Sequence, residues 1–370
     1  QNYDSIGGGG IRLLGNGDLY EITNSHISGN IIDHTNGSSG IQGGGIHSTV
    51  NLFLDNVIID SNQADSKGGG LYSSGLLSII NSQIINNESE SNGGGLYQFT
   101  AYDQSNLSLI NNSIISNNLS AGDGGAIYIY FYNGAEGFET RIENSTIDSN
   151  AVSGSGGAIK LERDYANISN YTHSIFLEET EVTNNSAVNN GGGISYTSNT
   201  YGVAPLFITN SKITSNTSAD GGALYLDAYA PIFVESTVFA NNAAVRGGAI
   251  NIDYGDLFLD NTTMVKNEAT LLGSSIYSDK NLILSNSILW GNTSPDGAVV
   301  HLYNSAEIIL NYNTIDGGLG SVIGYDDIIV NNLFEFDPQF VNIDENNFNL
   351  LPSSPCIDSG NPASTLDPDE

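Results

Sequence analysis

The sequence is poor in positive charge. Nine Lys and Arg stand against 41 Asp and Glu, a formal net charge of −32 over 370 residues. No basic stripe exists to neutralise phosphates, which excludes nucleic acid as a partner. The same shortage disfavours docking on an anionic membrane surface. Charged residues of both signs total only 14%, against roughly 25% in an ordinary globular domain, so the acidity reflects missing cations and not surplus acids. A single cysteine, Cys356, excludes a disulfide framework and a cysteine zinc site. No apolar run approaches the ~18 residues of a spanning helix, so no transmembrane helix is expected. No segment holds a helical 3.6-residue stripe. The sequence starts at Gln1 without a signal-like apolar segment, which reads as a mature or trimmed product.

Glycine and asparagine are abundant instead. There are 44 Gly and 47 Asn, and both follow a repeat. A tetrad of two Gly, a small residue and an aliphatic ends at Ile11, Ile46, Leu71, Leu96, Ile127, Ile159, Ile194, Leu224 and Ile250. Degraded copies end at Ile276 and Val300. A second segment recurs in each unit, for example Phe207 to Asn216. Stacking the copies gives one Asn column at 24, 56, 81, 111, 144, 210, 261, 286 and 311, with Glu179 and Ser236 filling the gaps. A second follows six residues later, at 30, 62, 87, 117, 150, 185, 216, 242, 267 and 292. Midway lies an apolar column: Ile27, Ile59, Ile84, Ile114, Ile147, Val182, Ile213, Phe239, Met264 and Leu289.

The apolar stretches alternate with period two, as in Ala126 to Tyr130, which indicates strands. A unit of roughly 25 residues with short strands between Gly and Asn bends is one turn of a parallel β-solenoid. Asn suits such bends, because it tolerates left-handed backbone and its amide can bond from rung to rung. The fold class is therefore all-β, a single-stranded right-handed parallel β-helix of about eleven rungs. At ~4.8 Å per rung it makes one rod about 50 Å long. Residues 1–317 carry the repeats, 318–360 are expected to cap the open end, and 361–370 read as a linker to an absent C-terminal region.

The pairing of Gly247-Gly248-Ala249-Ile250 with Phe239-Ala240-Asn241-Asn242 resembles the repeat of chlamydial polymorphic outer-membrane proteins and related bacterial surface proteins. In most other copies Ile replaces the Phe. The resemblance covers about residues 8–317. The tail, with Asp337-Pro338-Gln339-Phe340 and Ser354-Pro355-Cys356-Ile357-Asp358-Ser359-Gly360, is similar to the ending of secreted bacterial β-helix proteins. The resemblance implies export to the cell surface. Its relatives include adhesins, and the wider fold also hosts polysaccharide lyases and hydrolases.

If the tetrad aliphatic points inward, the residues one and three further on point outward. Those columns place Tyr72, Tyr97, Phe99, Tyr128, Tyr130 and Tyr225 on one face, and inserts after this strand add Tyr102, Tyr132, Tyr165, Tyr171, Tyr201 and Tyr229. An exposed Tyr face suits a surface glycan or protein partner. Asp227, Asp253 and Asp279 fall on three consecutive rungs. Like charges stacked at that distance repel, so such a ladder would hold a cation, raise a pKa or splay into solvent. Calcium takes carboxylate oxygens and would fit two such rungs. Lys160, Glu162, Arg163 and Asp164 form the one mixed-charge cluster near this face. No catalytic residue is assigned and no cofactor is required. The leading reading is a non-enzymatic exported rod, structural or adhesive. The rivals are a polysaccharide lyase or glycoside hydrolase, and a filament subunit that self-associates end to end.

Overall fold

The structure, a computed structural model, describes residues 8–15, 19–32, 42–100, 107–132, 138–164, 173–198, 204–303 and 306–362. The chain winds as a parallel β-helix. Each turn contributes one strand to a tetrad sheet, a longer strand bent or broken in the middle to a second sheet, and in many rungs a two-residue strand to a third. The tetrad sheet stacks twelve strands in chain order, from Ile11–Leu13 to Val322–Ile323, one rung more than the repeat predicts. Among the described residues, helix is confined to two short 3-10 turns, Gly318–Ser321 and Ile343–Glu345.

Three stacked columns explain why this sequence coils. Inward-facing aliphatics from both large sheets, such as Leu54, Ile79, Ile127 and Ile250, merge into one continuous core. The first Asn column occupies the corner within the long strand, in left-handed backbone: Asn56 has φ 53°, Asn81 φ 50° and Asn144 φ 48°. The second Asn column is not the corner residue. The left-handed position there belongs to the preceding residue (Ser61, Asn86, Asn117, Ser149), and the column itself is a buried amide ladder. In it each side-chain Nδ2 donates to the Oδ1 of the next rung: Asn62 to Asn87 at 3.0 Å, Asn87 to Asn118 at 3.0 Å, Asn118 to Asn150 at 3.0 Å and Asn150 to Asn185 at 2.9 Å. It continues unbroken to Asn292.

The ladder corrects the column assignments by one residue in the fourth unit. Asn112 and Asn118, not Asn111 and Asn117, align with their neighbours. Ile115 is fully buried, whereas Ile114 is 44% exposed. Near the C-terminal end, Tyr312 and not Asn311 takes the left-handed corner (φ 55°). A further column, Ser82, Ser113, Ser145, Thr180, Ser211, Thr237 and Ser287, accepts backbone N–H bonds from the rung before.

Glycine is needed where rungs touch. A Cβ on Gly157 would lie 2.2 Å from the Gly192 carbonyl oxygen, a distance only bare Cα–H allows.

Residues 318–362 first extend the rod and then double back. Val322–Ile323 and Asp327–Phe334 add a further rung to the two large sheets. The rest turns back along the side of the rod as a strap that includes an antiparallel hairpin, Phe340–Asn342 with Asn347–Leu350. Asn346 accepts from Asn241 at 3.0 Å, Asp344 pairs with Lys266 at 2.8 Å, and the Asn361 N–H donates to Asn286 at 2.8 Å. The outward column on that side changes character where the strap is pinned. It runs Ser116, Asp148, Thr183, Thr214, then Ala240, Val265, Trp290. Ala240 and Val265 are buried although they point away from the core.

Candidate functional site

The outward tetrad column forms in the expected register. His47, Tyr72, Tyr97 and Tyr128 stack with ring centroids 4.9, 5.5 and 4.9 Å apart. Phe99 stacks on Tyr130 beside them at 5.7 Å. The expectation of exposure fails, however. Tyr97 and Tyr128 are each 3% exposed and Tyr225 is 6% exposed, while Tyr72, Phe99 and Tyr130 are half-buried. Turn residues close over the column: the Lys67 Nζ donates to the Tyr97 hydroxyl at 3.1 Å and lies 4.6 Å from its ring centre. A ring stacked between two others and buried at its edge offers no face to a sugar. The column is a second core, built outside the first. Of the inserted tyrosines, Tyr102, Tyr165, Tyr171 and Tyr201 lie outside the described residues, as does the side chain of Tyr132.

Beyond Tyr128 the same column becomes polar and buried. Lys160 stands next, its Nζ 3.3 Å from Ser195 Oγ. Burial pulls its pKa down, while Asp123, Glu162 and Asp227 pull it back up. The Tyr128 hydroxyl donates to Glu162. Its pKa is pushed up, first by burial and then by that carboxylate. The Lys160–Glu162 half of the charged cluster is thus fixed in the tetrad strand. Arg163 alternates inward, close enough that its charge bears on the buried His173 and Tyr196. The side chain of Asp164 lies outside the described residues.

The three-rung carboxylate ladder does not form as expected. Register slips after Leu226, so Asp227 pairs with Tyr254 and Asp253 bulges out of line. Asp253 turns back to accept the Tyr225 hydroxyl at 2.6 Å. Burial raises the pKa of Asp227 and of Asp253, with the Asp253 charge adding to the first and Asp279 to the second. Among the described residues no three acidic or His side chains gather to hold a metal ion. Between Tyr225 and Tyr277 sits Asn251, fully buried, with neither amide atom hydrogen-bonded.

The solvent face of the long strands carries a feature the sequence reading passed over. Phe176, Phe207, Phe233 and Phe258 align rung on rung, with centroids 5.0, 5.2 and 4.9 Å apart. Ile283, Ile309 and Ile329 continue the column. These residues point away from the core yet are apolar, and Phe233 is 36% exposed. At the head of the ladder the Arg141 guanidinium lies 4.0 Å from the Phe176 ring centre. It is also held by Glu139 at 2.8 Å, and by Glu143 and Glu178 at 3.4 Å each. Two residues along each strand, on the same face, stand Glu178, Thr209, Glu235 and Asp260. A groove of about 290 Å³ runs beside them, lined by Glu143, Asn144, Glu178, Glu179, Thr209 and Asn210. The signal was present in the sequence as one Phe in the same place in four consecutive units.

These features define a parallel β-helix repeat protein with one buried and one open aromatic column. Its repeat is similar to a known one. Residues 56–74 and 112–130 each match the Chlamydia polymorphic membrane protein repeat, the surface-protein repeat that the Gly tetrad and Asn column resemble. Both matches start at a corner Asn (Asn56, Asn112) and run through a ladder Asn (Asn62, Asn118) to a tetrad strand. They therefore fall in the register the structure gives. No curated protein matches the chain.

Proposed function

We propose that the chain is the shaft of a bacterial surface protein, structural or adhesive, that engages a partner through its side and performs no catalysis. The observation that carries this reading is the twofold match to a membrane-protein repeat, set within a solenoid in which the same columns recur from end to end. A stack of near-identical rungs suits display and span, since each added turn lengthens the rod by ~4.8 Å without a new core design. Antibody labelling of intact bacteria, together with adhesion of chain-coated beads to host cells or glycan surfaces, tests the reading. Labelling only after permeabilisation would overturn the location, and beads that adhere to nothing would overturn the adhesive role. Turnover of any polysaccharide that is lost in Lys160→Met would overturn the non-enzymatic reading.

A second reading, end-to-end assembly, is favoured by the last long strand. Asp327–Phe334 pairs only with the rung before it among the described residues, and Ile329 and Val330 on it are exposed. An open parallel edge is a template for another strand. Light scattering that shows concentration-dependent growth in length, abolished by Val330→Pro, is the outcome this reading requires.

A further inference from the structure

We infer that the phenylalanine ladder is a docking strip for a cationic, amphipathic polypeptide segment, one that lays an apolar stripe on the rings and places Lys or Arg beside the flanking carboxylates. The inference rests on the reading that the rod engages a partner through its side.

The rod treats its outward apolar residues in two ways. On the second half of the long strands, Ala240 and Val265 are buried where the strap is pinned by Asn241 and Lys266. On the first half, no strap crosses the ladder among the described residues, and Phe233 remains the most open of its rings. Four rings in stacked contact span about 15 Å along the rod. An aligned apolar strip on a monomer's surface marks an interaction site.

The surroundings select the occupant. Glu178, Glu235 and Asp260 border the strip on one side and Asp256 lies on the other, two residues before Phe258. Glu235 pairs with no cation among the described residues. A second copy of the chain would bring its own −32 charge to this acidic border, so like-charge repulsion opposes self-pairing here. A sugar fits poorly, because stacking at about 5 Å occupies the ring faces and leaves mainly edges outward. The chain displays the favoured chemistry itself: Arg141 sits over the end ring while three carboxylates share its charge. A partner's Arg or Lys at Glu235 and Asp260 would repeat that arrangement, with cation–π contact and ion pairing acting together.

The test uses the full chain and a short synthetic peptide of alternating leucine and lysine. A lysine–serine peptide of equal charge serves as control, with binding read by calorimetry at low and moderate salt. Phe233→Ser alone and Phe207→Ser with Phe233→Ser point outward and are checked for an unchanged melting transition. The expected result is saturable binding of the leucine peptide, weakened about tenfold or more by the double variant and partly by the single one. Glu235→Gln with Asp260→Gln should weaken it and flatten its salt dependence, while Glu307→Gln with Asp327→Gln, a matched charge change at the far end, should not. Equal binding of the two peptides, or indifference to the Phe variants, overturns the proposal. So does self-association of the chain that the Phe variants abolish. If the peptide fails while coated beads still adhere, the docking inference falls and the adhesive reading stands.

Discussion

Replacing Asn150 with leucine should destabilise the rod far more than its small change in volume suggests. The Asn150 Oδ1 accepts from the backbone N–H of Asn118 at 2.9 Å and from its Nδ2 at 3.0 Å. Its Nδ2 donates to Asn185 Oδ1 at 2.9 Å and to the carbonyls of Ile115 and Asp148 at 3.0 Å. Leucine fills the space and supplies none of these. The Asn118 side chain keeps the Ile84 carbonyl and the Asn185 oxygen keeps the Asn150 N–H, but the Asn118 backbone N–H loses its acceptor. One buried donor left without an acceptor costs about 1–3 kcal/mol, and each further lost bond about 0.5–1.5 kcal/mol. With one such donor and four further lost bonds, the expected loss is about 3–9 kcal/mol. Because a solenoid can open locally, the measurement is hydrogen exchange rung by rung. Amides at Asn118, Asn150 and Asn185 should exchange about a hundredfold faster or more. Asn144→Gly, six residues earlier, is the contrast: it changes a left-handed corner (φ 48°) that glycine adopts freely, so its effect should stay within about 1 kcal/mol. If the two variants exchange alike, the division of the Asn columns into ladder and corner is wrong.

Asn251→Leu should raise stability, since a fully buried amide without partners is removed at similar volume; a lowered melting temperature would contradict this. Gly157→Ala should abolish soluble folded protein, because its Cβ meets a backbone carbonyl, whereas Gly291→Ala has open space (φ +63°) and should lose about 1 kcal/mol. Soluble yield and urea midpoints separate the two. His173 is buried beside Thr140 and Phe131, and burial, aided by the Arg163 charge, lowers its pKa from 6.5 to about 3. The unfolded chain then takes up a proton that the folded one refuses. This contribution to stability is thus complete above pH 6.5 and is lost as pH falls towards 3. His173→Gln should flatten that acid limb, and identical urea midpoints versus pH in both proteins would refute it.

The repeat was legible because every rung must solve the same turn with the same residues. Its failures were local and physical. In Asn111-Asn112 and Asn117-Asn118 two identical residues compete for one column, and spacing alone cannot choose between them. The burial contrast of Ile114 and Ile115 does. Alternation assigned Tyr97 and Tyr128 to the outside of the core correctly, but it carries no information about the turns that close over them. The Asp253 bulge breaks a register that the sequence left intact. The strap depends on contacts such as Asn241 with Asn346, 105 residues apart, which no local pattern encodes. The Phe ladder is written in the sequence as one Phe per unit at 176, 207, 233 and 258, on the sheet opposite the Gly tetrad.

The amide ladder also gives the rod an electrical direction. From Asn30 to Asn267 every ladder Nδ2 donates to the amide oxygen of the rung on its C-terminal side. Aligned amide dipoles sum, as they do along a helix, so the ladder's N-terminal end presents oxygen and its C-terminal end presents N–H. Asp316, whose carboxylate accepts the Gly291 N–H at 3.2 Å, stands at that positive end, where an acidic residue at a helix N-terminus would stand. Two rods stacked head to tail would therefore meet with opposite poles, whereas rods meeting at like ends would not.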